Sequence, residues 1–82
     1  MKRVDILVSD PLNHISQSAS ICEPVEDSKA IDNALLRFGL KSSDLNIIAD
    51  HAYEVQELAS CRMIQGVVKE GTRLVSINMH DC

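Results

Sequence analysis

Six side chains of the 82-residue sequence could hold a metal or carry nucleophilic chemistry: His14, Cys22, His51, Cys61, His80 and Cys82. Zinc sites and metalloprotease helices need their ligands at short fixed spacings, and CxxC, HExxH and HxxxH are all absent here. The nearest approach is His80-x-Cys82 at the end of a strand, closed from elsewhere by Cys61 or His51. The simpler reading makes Cys22 and Cys61 small buried hydrophobes, His51 a helix-surface histidine, and His80 and Cys82 ordinary C-terminal residues. No metal or other cofactor is therefore expected.

Catalysis has one arrangement to offer. If residues 45–59 are helical, His51 and Glu54 stand at i and i+3, a carboxylate orienting an imidazole base, with Cys22, Cys61 or a serine as nucleophile. Such a site needs a walled pocket, and a chain this short has little depth to build one outside a subunit interface. Gly39, Gly66 and Gly71 are isolated, so no phosphate-cradling loop exists. A small oligomeric enzyme or metal-dependent subunit built around His51 is the alternative to a non-enzymatic protein.

Charge is the stronger lead. The net charge of −4 is concentrated between residues 23 and 59, where eight acidic side chains face three basic ones. On a helix over 45–59, Asp50, Glu54 and Glu57 line one face at i, i+4 and i+7, with Asp44 just ahead of them. Like charges at that spacing cost a few tenths of a kcal/mol per pair, so the row does not serve the helix itself. It is either a solvated, solubilising face or a docking surface for a basic protein.

Nucleic acid is not an expected ligand. Phosphate binding rests on clustered Lys and Arg, whereas the eight basic residues here are scattered. Base stacking needs aromatic platforms, and Phe38 and Tyr53 are the only aromatic residues. A membrane span of roughly 20 apolar residues is lacking as well. The odd cysteine count suits a reducing compartment, and Val4–Val8 is too short and interrupted for a signal peptide, which points to the cytoplasm.

The elements that must position these groups follow from periodicity. Val4, Ile6 and Val8 fall on one side and Arg3, Asp5, Leu7 and Ser9 on the other, predicting a strand over 3–9. A weaker alternation over 14–22 is a second strand or an extended loop. Asp27 or Ser28 can cap a helix over 29–38, whose Ile31, Ala34, Leu35 and Phe38 share a face before Gly39 ends it. Leu45, Ile48, Ala52, Val55 and Ala59 recur in steps of three and four, which favours one helix over 45–59 against a short strand at 45–49 followed by a shorter helix. Two strands over 62–68 and 73–79 flank Lys69-Glu70-Gly71-Thr72 as a hairpin. The expected fold is one compact α+β domain over 1–82: a mostly antiparallel sheet of three or four strands, covered on one face by two helices.

Leu7 and Leu74 fall opposite the main apolar rows of their strands, and Ile47 leans off the helical stripe. If the first two lie on neighbouring strands, they make an apolar patch where a second copy could associate. A core without large rings is thin at this length, which leaves room for stabilisation by self-association or a partner as much as for a stable monomer. The expected function is a small acidic, non-enzymatic protein-interaction module. It would dock its acidic helical face on a basic site of a larger nucleic-acid-handling protein, as small phage or mobile-element inhibitors do, an analogy of size and charge alone. A self-associating structural subunit is the further alternative.

Overall fold

Val4, Ile6, Val8, Val75, Ile77 and Met79 are all buried while their immediate neighbours in sequence are not, so strict alternation fixes which way the central strands face. In the computed structural model, which describes residues 1–55 and 59–81, the order is β1 (Lys2–Asp10), β2 (Ile15–Glu23), α1 (Asp27–Leu36), a 3-10 turn (Ser42–Asp44), β3 (Leu45–Val55), β4 (Ala59–Val68) and β5 (Leu74–Asp81). The strands form one antiparallel sheet in the order β2-β1-β5-β4-β3. The first strand thus pairs with the last at the centre. Because β2 and β3 are opposite edges, the segment joining them must cross the sheet, and α1 lies along that crossing.

Cross-strand rows build the core. Ala19, Ile6, Ile77 and Ile64 stand side by side on four strands, with Val4 against Met79 and Val8 against Val75 in the flanking rows. From α1, Ala30, Ala34 and Leu35 press onto them. No aromatic residue is fully buried: Phe38 packs at the margin and Tyr53 is about half exposed. The core is aliphatic, as the composition requires.

The helix occupies 27–36 rather than 29–38. Its N-cap is Glu26, which makes no side-chain capping bond, so neither Asp27 nor Ser28 caps it. Its end has a clear cause. Gly39 takes φ 69°, its amide donates to the Leu36 carbonyl at 3.1 Å, and the Leu40 amide donates to the Leu35 carbonyl at 3.0 Å. This is a Schellman closure, sealed by the buried Leu35 and Leu40.

The expectation of two helices covering the sheet is overturned. Residues 45–55 form an edge strand and 59–68 its antiparallel partner, so among the described residues the sheet has five strands and one α-helix lies on it. The weak alternation over 14–22 belongs to a true strand, β2, paired with β1 over nine consecutive positions. The false helical stripe has a physical origin. Of the β3 residues with described side chains only Leu45 is buried, so burial imposes no period of two on the strand. A register shift between Ile47 and Ala49 then moves the following residues by one position. Opposite that shift sits Gly66, where an added Cβ would come within 3.2 Å of the Asn46 carbonyl oxygen. Glycine there lets β3 approach closely.

Candidate functional site

Alternation divides the sheet into two faces with different chemistry. On the helix side Lys2, Asp27, Asp50, Arg62 and Asp81 form a chain of alternating charge. Lys2 Nζ lies 2.7 Å from an oxygen of Asp81 and 3.2 Å from one of Asp27, and Arg62 Nη1 is 3.9 Å from the other oxygen of Asp27. Arg62 donates through Nε and Nη2 to both oxygens of Asp50, at 2.9 and 2.8 Å. Asp50 and Arg62 are diagonal neighbours on β3 and β4, since Ala52 is the residue opposite Arg62. The paired guanidinium holds the Asp50 carboxyl below its ordinary value and is itself pushed up by Asp50. Hydrogen bonds to Asp81 and Asp27 likewise raise Lys2, and Lys2 lowers Asp81.

Of the acids singled out from the sequence, Asp44 and Asp50 are engaged, and Asp50 and Glu54 lie on a strand rather than a helix. Asp50 is in the Arg62 pair. Asp44 accepts the Lys41 amide at 2.8 Å and closes the 3-10 turn. Glu54 is exposed on β3, and Glu57 lies outside the described residues. The i, i+4, i+7 row does not exist, because 45–55 is extended. A basic residue, Arg62, also stands among the acids, which the helical reading did not provide.

The same correction separates His51 from its carboxylates. On a strand, neighbouring residues point to opposite faces, so His51 and Glu54 fall on different sides of the sheet. The oriented base expected from an i, i+3 helical pair is absent. His80 stands directly across from Cys61, and Cys82 lies outside the described residues. Among the described residues no group of three or more His, Cys, Asp or Glu side chains is placed to hold a metal ion.

The other face is open, with no element packed on it among the described residues. Leu7 on β1 faces Ser76 of β5, and Leu74 faces Ser9 of β1, so the two leucines are diagonal neighbours on adjacent strands. They are 43% and 42% exposed, and Ile48, at 67%, joins them across the sheet. The three line one shallow cavity of about 220 Å³ with Ser9, Gln65 and Ser76. Charge is nearly missing from this face. Arg3 and Asp5 sit together at one end, where Asp5 also accepts a short hydrogen bond from the Ser20 hydroxyl, which lowers its pKa.

Ile48 is the residue that sequence reasoning missed. Helical spacing puts it in the stripe with Leu45 and Ala52, whereas the register shift at that point places it beside the leucine patch. The adjacent β-formers Ile47 and Ile48, with Tyr53 and Val55 beyond, were the available signal for a strand. The sequence matches no protein-family model, and comparison with curated proteins and with solved structures gives no match either.

Proposed function

We propose that the chain is a non-enzymatic protein-interaction module whose contact surface is the open sheet face, centred on Leu7, Ile48 and Leu74. The observation that carries this reading is the grouping of three exposed aliphatic side chains around one shallow cavity on an uncovered, nearly uncharged face. Exposed apolar groups that cluster in this way favour a partner surface over solvent. The occupant is a folded protein that offers an apolar projection within a basic surround. Basic, because the chain carries −4 overall and complementary fields accelerate encounter. A larger nucleic-acid-handling protein, held in check by this module, fits that description by size and charge.

The separation of roles is testable in one series. Affinity capture from the native host should recover a protein with wild type and lose it with Leu74→Glu, which puts a charge where the apolar contact forms. Glu54→Lys should retain the same protein with slower association and a flatter salt dependence, because it alters the field and leaves the contact intact. Recovery of identical proteins by wild type, Leu74→Glu and Leu7→Glu would overturn the reading.

A further inference from the structure

The two edges of the sheet are protected unequally. Exposed edge strands pair with other chains unless charge, proline, a bulge or a cover prevents it. β3 has two such devices, the register shift at Ile47–Ala49 and the acids Asp50 and Glu54. β2 has none over Ile15–Ile21: the sequence ISQSASI contains no charge and no proline, and its pairing with β1 runs without a register shift. No strand lies outside it among the described residues.

We infer that β2 is a homodimer interface, at which a second copy of this chain adds its own β2 antiparallel about a two-fold axis through Ser18. The occupant is argued from self-complementarity. With Ser18 on the axis, Ile15 of each copy stands opposite Ile21 of the other, Ser16 opposite Ser20, and Gln17 opposite Ala19. Every residue remains on its own face, as an axis perpendicular to the sheet requires. Ile15 is 52% exposed in the single chain, and Ile21, on the same face, is already buried. Pairing them covers the exposed isoleucine on both copies. Charge supports the same occupant. Two chains of −4 repel wherever their acids meet, and this stretch holds none. The resulting sheet has ten strands with both Leu7–Ile48–Leu74 patches on one side. The inference does not depend on what those patches bind.

Sedimentation equilibrium of the full chain tests it. Wild type should sediment at twice the 9.1 kDa chain mass. Ser18→Lys places two ammonium groups opposite each other on the axis, and the dimer dissociation constant should rise at least about tenfold. Ser18 is exposed in the single chain, so the far-UV circular dichroism should be unchanged. Leu74→Glu, on the open face, should leave the dimer intact. A monomeric wild type overturns the inference, and so does a dimer that Leu74→Glu dissociates and Ser18→Lys does not. Amide exchange on wild type decides independently of any variant: protection in β2 should grow with protein concentration while that in β3 stays constant. β2 exchange that ignores concentration overturns the dimer.

Discussion

The packed and open faces of the sheet are written by the same residues of sequence, one position apart. On β1 and β5 the helix-facing set is Val4, Ile6, Val8, Val75, Ile77 and Met79, all at most 5% exposed, and the open set includes Leu7 and Leu74 at more than 40%. Both sets contain aliphatic side chains, so hydrophobicity alone does not tell structure from surface. What separates them is whether another element lies above. The one α-helix among the described residues lies over β1 and β2 on one face and leaves the second bare. The packed face therefore carries stability, while the open face is free to carry recognition.

Substitutions on the two faces should differ most sharply at neighbouring positions. Ile77→Ala, at a site with no exposure, should cost about 3 kcal/mol in denaturant unfolding through lost burial and a residual cavity. Leu7→Ala, on the open face, should stay within about 0.5 kcal/mol. Equal losses at the two positions would mean that something covers the open face. Gly66→Val tests the close approach of β4 to the shifted register of β3, and the clash with the Asn46 carbonyl should cost about 1–3 kcal/mol. An unchanged midpoint there would show that β3 moves freely aside.

Smaller effects come from the charged chain on the packed side. Asp50→Asn removes one partner of the bidentate Arg62 pair, which is solvent-accessible, so the loss near neutral pH should be about 0.5 kcal/mol. The pH dependence has a definite sign. Asp5, Asp10, Asp50 and Asp81 are all held below the ordinary value of 3.8, by hydrogen bonds first from Ser20, Asn13, Arg62 and Lys2 respectively. As pH falls, the unfolded chain takes up protons before the folded one does. The stability these groups contribute is complete above the ordinary carboxylate value and drains away as pH drops through 3.8 and on through their lower folded values. Thermal unfolding across that window should show a falling midpoint, with a shallower slope in Asp50→Asn. A midpoint independent of pH there would remove these four carboxylates from the account of stability.

Legibility followed burial. In β1 and β5 every second residue meets the core, so the required alternation stands in the sequence, and Gly39 and Gly71 mark their turns by the positive φ they adopt. In β3 that signal is missing, because the strand is an edge whose described side chains beyond Leu45 are exposed or only partly buried. The spacing of Leu45, Ile48 and Ala52 then imitates a helix without packing to enforce one. The site reading inherited this error. The acidic row and the His51–Glu54 pair were consequences of a helix that does not form, whereas Leu7 and Leu74 came from strands whose pattern was sound.

Sequence by itself determined the alternating central strands, the aliphatic character of the core, the glycine that closes α1 and the acid-rich middle of the chain. These are local matters, set by side-chain periodicity, composition and backbone freedom. Only the tertiary structure decided that 45–55 is a strand, that Arg62 engages Asp50, and that Ile48 joins Leu7 and Leu74 on an uncovered face. Each of these depends on which strand lies beside which, and strand pairing is fixed by contacts between residues distant in the chain, where a local pattern carries no information.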